Sequence, residues 1–180
     1  MKKYAMSNGN YAKKLTNTLF IIYLVALLWI LVFKLGVQFS YMGKRRINLI
    51  PFNELLILKG KVDFVEMILN AVIFVPLGIY IGVLFKRWTY GKKIFLFFII
   101  SLLIEGLQFI LKVGAFDTTD IITNSLGGII GLLIFKVIEK AFKNNFKAQK
   151  FVNIIAATGT VLMTLLLLLL KLNMLPVKYQ

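Results

Sequence analysis

The chain has no cysteine and no histidine, and only 7 of its 180 residues are acidic. Without thiols or imidazoles there is no disulfide framework, thiolate nucleophile, zinc finger, imidazole base or haem ligand of the usual kinds. Any catalysis must use carboxylates, amides, hydroxyls, lysines or a hard, oxygen-ligated metal ion. Charge is sparse as well, at 16% of residues, against roughly 25% in an ordinary soluble domain. What the chain has instead is apolar surface: 59% of residues are hydrophobic and the mean hydropathy is +0.85. A single soluble core of this length could not bury so much, which implies lipid as the solvent.

The apolar residues fall into five blocks separated by basic clusters. They are Leu15 to Phe33, about Met67 to Phe85, Ile94 to Leu111, Ile121 to Phe135 and Phe151 to Leu170. Each approaches the ~20 residues that cross ~30 Å of hydrocarbon, the fourth only when extended toward Ile138. No block shows the period-two alternation of a membrane barrel. The expected fold is all-α and polytopic, with about five transmembrane helices. The expected organisation is a basic N-terminus over 1–14, a single membrane domain over 15–171 and a C-terminal tail over 172–180. The first block is too long for a cleaved leader, and Phe33-Lys34-Leu35-Gly36 is no small-residue cleavage site.

Lysine and arginine set the topology. Lys2, Lys3, Lys13 and Lys14 precede the first block, Lys86, Arg87, Lys92 and Lys93 separate the second from the third, and Lys140, Lys143, Lys147 and Lys150 separate the fourth from the fifth. The positive-inside rule then places the N-terminus in the cytoplasm and the C-terminus outside. The long first external loop contains Asn48 to Leu58, too short to span and broken by Pro51 and asparagines. It reads either as an interfacial or re-entrant segment or as a surface loop with an amphipathic turn. The excess of 22 basic over 7 acidic residues, a net charge of +15, lies in these loop anchors. It matches anionic headgroups rather than nucleic acid, and no nucleic-acid partner is expected.

The acids are Glu54, Asp63, Glu66, Glu105, Asp117, Asp120 and Glu139. Glu105 lies twelve residues beyond Lys93, roughly 18 Å along a helix, where an ionisable group is costly unless it faces a polar interior or is protonated. Gln108 follows at i+3 on the same face. In the fourth block Asp120, Asn124, Gly127 and Gly131 form one stripe, with Asp117 and Asp120 at the positive end of the helix dipole. The second block offers Asn70, Phe74 and Gly78 on one face and Pro76 as a kink. The pairs Gly78/Gly82 and Gly127/Gly131 permit close helix packing. Under the chosen topology Asn48, Pro51, Phe52, Asn70, Glu105, Gln108, Asp117, Asp120 and Asn124 gather into a polar pocket at the outer leaflet, near Lys44, Arg45, Arg46 and Lys112. The bland alternatives are a protonated Glu105 that staples two helices and an Asp117 that merely caps one.

Four strings in order, Asn48-Leu49-Ile50-Pro51-Phe52, Asn70 to Gly78, Glu105-Gly106-Leu107-Gln108 and Phe116 to Gly128, resemble the pattern of the VanZ-like family. The resemblance covers about half the chain, from Asn48 to about 138. It implies a bacterial cell-membrane protein similar to those linked to resistance to teicoplanin and other lipoglycopeptides. It implies a phenotype rather than a reaction. Many members carry an arginine near Gly114 and an acid where this chain has Thr119, and Lys112 is a candidate substitute for the missing cation.

Three functional readings compete. The first is binding of a membrane lipid or lipid-linked cell-wall precursor, lowering glycopeptide access. The second is a membrane-embedded enzyme acting on a lipid phosphate or acyl lipid, with Glu105, Asp117 and Asp120 as catalytic groups or as ligands of a divalent cation such as Mg2+ or Ca2+. The third is a small lipid transporter with Glu105 as a proton-linked carboxylate. No cofactor is otherwise evident, and no nucleophile–base pair marks the chain as a hydrolase.

Overall fold

The computed structural model describes residues 2–33, 47–52 and 64–172. The elements in chain order are α1 (Lys2–Phe33), β1 (Ile47–Asn48), α2 (Phe64–Leu84), α3 (Tyr90–Leu111), β2 (Phe116–Asp117), α4 (Thr118–Phe142) and α5 (Asn145–Lys171). All five helices are long and apolar enough to cross a membrane. Each apolar block of the sequence falls within one of them to within a residue. The expected all-α, polytopic architecture is therefore what the chain adopts.

The fourth helix departs from its apolar block most. Only Ile121 to Phe135 is oily, yet α4 runs for 25 residues, about 37 Å at 1.5 Å per residue. Its polar first turn is held by an N-cap: Asp117 Oδ1 accepts the Thr119 N–H at 2.7 Å. Its last turns carry Glu139 and Lys140 and end on Lys143 in the left-handed region, φ 48 and ψ 17. Asn144 then caps α5, Oδ1 accepting the N–H groups of Phe146 and Lys147. On α3, Thr89 is the N-cap and Lys112 the left-handed C-cap, its N–H returning to the Gln108 and Phe109 carbonyls.

The centre of the bundle is the contact of α2 with α4, which run in the same direction. Gly127 lies against the Ala71 backbone and Gly131 against Val75 and Gly78, so the two main chains touch without intervening side chains. Such close approach is what glycine on one stripe of each helix provides in a solvent with no hydrophobic drive between helices. α3 packs antiparallel on α4, with the Phe97 ring seated on Gly128. Phe74, Leu77, Ile81, Phe97, Ile104 and Leu132 form the core with Leu27, Leu31 and Val32 of α1. On the outside, Ile21, Val25, Val65, Ile68, Val72, Leu103, Ile110, Leu133, Val137 and Leu162 are exposed, the pattern of helices whose outer faces meet acyl chains.

Two polar contacts fix α1. At the Pro76 turn of α2, where proline removes one backbone donor, the Tyr23 hydroxyl donates to the Ile73 carbonyl at 2.8 Å. Midway along α1, Thr16 is fully buried. Its Oγ1 lies 2.8 Å from the Ala12 carbonyl and 2.9 Å from Asn153 Oδ1 of α5, and it accepts Gln149 Nε2 at 2.8 Å. Asn153 Nδ2 donates to the Ala12 carbonyl at 2.9 Å. Thus α5, which packs mainly on α1, is attached by these hydrogen bonds and by an apolar cluster in which Ala148 and Val152 pack with Val83 of α2 and Phe135 of α4.

Helix alternation separates the charges. The start of α1, the α2–α3 turn and the α4–α5 turn share one end, carrying Lys13, Lys86, Arg87, Lys140, Lys143, Lys147 and Lys150. The Lys86–Glu139 bridge, 3.1 Å, lies at this end. Glu66, Glu105, Asp117 and Asp120 belong to the other end, where α2 and α4 begin and α3 finishes.

Candidate functional site

At the acidic end a strand pair ties the chain together. β1 and β2 are parallel, Ile47 opposite Phe116 and Asn48 opposite Asp117. No strand is expected from the sequence, because alternation cannot register over two residues. The pairing nevertheless brings two of the four sequence strings side by side. Asn48 Nδ2 donates to Asp117 Oδ2 at 3.0 Å, and Thr118 Oγ1 donates to the Asn48 carbonyl at 3.2 Å. The turn at Pro51 and Phe52, where Phe52 has φ 59, presents the Phe52 N–H to Thr119 Oγ1 at 3.0 Å. The Asn48 to Phe52 portion of the first loop is therefore a strand and turn pinned to the head of α4. Asn53 to Leu58, the rest of the expected re-entrant segment, lies outside the described residues, as do Lys44, Arg45 and Arg46.

Glu105 joins this cluster from α3. It is 2% exposed, and its Oε2 accepts the Asp117 N–H at 3.0 Å. The carboxylate therefore faces the protein interior, where a backbone donor offsets part of its desolvation. Asp117 has both oxygens engaged, Oδ1 by the Thr119 N–H and Oδ2 by Asn48. Asp117 is thus the cap of α4 and the hub of the cluster at once. Thr119 serves the loop through its hydroxyl, which accepts the Phe52 N–H.

One turn along α4, Asp120 Oδ1 accepts Asn70 Nδ2 of α2 at 2.8 Å. A turn deeper, Asn124 is 1% exposed and donates to Ser101 Oγ of α3 at 2.9 Å. Asn124 Oδ1 is buried and has no hydrogen-bond partner among the described residues. Asp120, Asn124, Gly127 and Gly131 thus lie on one face as expected, turned toward α2 and α3. Phe74 and Gly78 are buried beneath Asn70 in the same seam, and Pro76 lies at the Tyr23 contact.

Gln108 is the residue the sequence places differently. It shares a helix face with Glu105, yet its Nε2 donates to the Leu31 carbonyl at 2.8 Å, one of the C-terminal carbonyls a helix leaves unpaired. Gly114 packs on the Gln108 side chain; a Cβ there would lie 3.4 Å from it. Lys112 is exposed and contributes its backbone to the α3 cap. Ser101 and Leu31 complete the network without having been put forward as site residues. Ser101 stands four residues before Glu105, on the same face, which is the signal that could have found it.

Chemically the site is an array of carboxylate and amide acceptors held by fixed donors. Among the described residues, no group of three or more acids stands where it could hold a metal ion. Asp117 is committed to N–H donors, and Asp120 accepts Asn70 Nδ2 across the α2–α4 seam.

Comparison with known proteins gives the same motifs a family. The sequence matches VanZ/LLP1 over residues 20–139, a longer stretch than the four strings and one that takes in the C-terminal part of α1. It is also 36% identical over 159 residues to "Protein VanZ" of Enterococcus faecium, covering 86% of this chain and 92% of that protein. No solved structure matches. With the family pattern spanning the whole acidic cluster and its supporting helices, the chain belongs to the VanZ/LLP1 family, as a multi-pass membrane protein.

Proposed function

We propose that the acidic end faces outward and binds the polar headgroup of a membrane lipid or lipid-linked cell-wall intermediate in the outer leaflet. By doing so the protein contributes to resistance against teicoplanin and related lipoglycopeptides. The carrying observation is the buried Glu105 carboxylate joined to Asp117 on the α4 cap, beside the Asn70–Asp120 pair. Ionisable groups at this depth in a membrane helix mark ligand pathways more often than they mark packing. The orientation rests on the lysine-rich turns at the opposite end, which the positive-inside rule assigns to the cytoplasm. Carboxylates and amides recognise hydroxyls and N–H groups of a glycosylated headgroup directly, so binding is expected to survive EDTA; loss on chelation would favour a cation bridge.

The test uses charge-neutral swaps that retain an acceptor oxygen. Glu105→Gln and Asp120→Asn chains, produced at wild-type level in a susceptible host, are expected to lose teicoplanin protection and co-purifying lipid precursor. Full protection by both would refute the proposal.

A further inference from the structure

The basic end contains a cleft of about 580 Å³ lined by Lys13, Val83, Leu84, Phe85, Lys86, Arg87, Trp88 and Gln149. It lies at the opposite end of the bundle from the carboxylate cluster and shares no residue with it. Two separate parts of the chain supply its cations: α1 gives Lys13, and the turn after α2 gives Lys86 and Arg87. Its floor is apolar, with Phe85 and Trp88 rings 4.6 Å apart. Lys86 is steadied by Glu139 at 3.1 Å. Lys13 and Arg87 take part in no ion pair among the described residues. Gln149 is held at the rim by its bond to Thr16 and still carries a second N–H.

A cleft with unneutralised cations at the rim and apolar walls below has the polarity of a phospholipid: anionic phosphate above, acyl chain beneath. We infer that this cleft binds the phosphate of an anionic phospholipid, such as phosphatidylglycerol, from the leaflet around the basic end. Lys13 and Arg87 contact the phosphodiester, and Val83, Leu84 and Phe85 meet the first part of an acyl chain. The volume suits a headgroup and a few methylenes, not a whole lipid. Charge complementarity excludes a zwitterionic lipid as the preferred occupant, because phosphatidylcholine brings its own cation to the rim. Free phosphate offers the same anion without the acyl chain, and the apolar floor distinguishes the two.

The experiment is native mass spectrometry of the full-length protein from detergent containing equal phosphatidylglycerol and phosphatidylcholine. Retained phosphatidylglycerol is expected to exceed phosphatidylcholine. The Lys13→Gln/Arg87→Gln chain should lose this preference, by roughly fivefold for each cation at ~1 kcal/mol per basic residue. A charge-matched Lys147→Gln/Lys150→Gln chain, altered at the same end but outside the cleft, should keep it. Equal loss in the two double variants would mean diffuse surface charge and would overturn the inference. So would displacement of the lipid by millimolar inorganic phosphate, which would make the occupant a soluble anion. A second readout needs no charge variant. In a Trp29→Phe chain, which leaves Trp88 as the one tryptophan of the 2 in the sequence, brominated phosphatidylglycerol should quench fluorescence more than brominated phosphatidylcholine at equal mole fraction. Equal quenching would refute the site. Neither readout depends on the acidic cluster, so its failure would leave the outer-leaflet proposal standing, and the reverse.

Discussion

Alanine at Gly127 or Gly131 tests whether the central α2–α4 contact is made by backbone. A methyl at 127 would sit 2.8 Å from the Ala71 carbonyl carbon and 2.9 Å from its Cα, with the Ala71 oxygen nearer still. At 131 it would sit 2.9 Å from Gly78 Cα and 3.0 Å from the Ile79 nitrogen, with the Val75 oxygen nearer. Carbon atoms rest at about 3.5–4.0 Å, so the helices must part by roughly 1 Å. No flexible side chain is available to yield instead. Overpacking of this kind costs about 1–3 kcal/mol. Gly106→Ala on α3 is the control: a Cβ there meets nothing within 4 Å, and alanine is favoured over glycine in a helix interior by roughly 1 kcal/mol. The two substitutions are chemically identical and should have opposite signs. In SDS titrations of protein in mixed micelles, followed by far-UV circular dichroism, Gly127→Ala and Gly131→Ala should unfold at lower SDS fraction than wild type. Gly106→Ala should unfold at an equal or higher fraction. If the 127 and 131 alanine chains were as stable as wild type, the helices would not touch there, and the placement of Asn124 and Asp120 on the same stripe would fall with the contact.

Other outcomes follow from single contacts. Tyr23→Phe removes the hydroxyl that donates to the Ile73 carbonyl, and should cost about 1 kcal/mol in the same titration; no change would mean that the contact contributes nothing to holding α1. Asp117→Ala should cost about 1 kcal/mol through the lost cap and also free the Asn48 strand. Limited proteolysis should then cut within 47–52 faster than in wild type, and unchanged cleavage would detach that segment from the cap. Because the chain is free of cysteine, Lys112→Cys and Lys147→Cys report orientation by impermeant maleimide on intact cells. Lys112→Cys should label directly and Lys147→Cys only after permeabilisation; the reverse pattern would turn the molecule over.

Periodicity and charge in the sequence are enough to locate the helices, because a membrane span must be long, apolar and flanked by anchors whatever it packs against. The same logic makes Glu105, Asp117, Asp120, Asn70 and Asn124 conspicuous, since each is a polar group in a segment that should exclude it. Direction of reach was not legible. Gln108 sits beside Glu105 on the helix, yet it serves an α1 carbonyl, because the need it meets is a backbone group with no side-chain signature. The β1–β2 pair was invisible for a related reason: two residues of strand have no period. Thr16, Gln149 and Asn153 also passed unnoticed as a unit. Each is unremarkable within its own helix, and only the fold brings them together.

The arrangement of polar groups follows from where a helix leaves backbone groups unpaired. At the start of α4 the free N–H groups and the positive dipole end make carboxylates tolerable in a place where lipid would otherwise exclude them. Asp117 and Glu105 both accept from those N–H groups or from the residue leading into them. Asp117 and Glu105 are therefore held in part by donors the fold must supply anyway. Asn124 lies beyond that supply. Its buried Oδ1 has no donor among the described residues, a deficit of about 1–3 kcal/mol relative to a paired acceptor, although a valine or leucine there would avoid it. Packing against Ala71 and Gly78 explains the glycines of the stripe, but it gives no reason for an amide one turn below Asp120. An acceptor left open beneath Asp120 has a reason when a ligand's donor enters from the acidic end, which is the geometry that outer-leaflet headgroup binding requires.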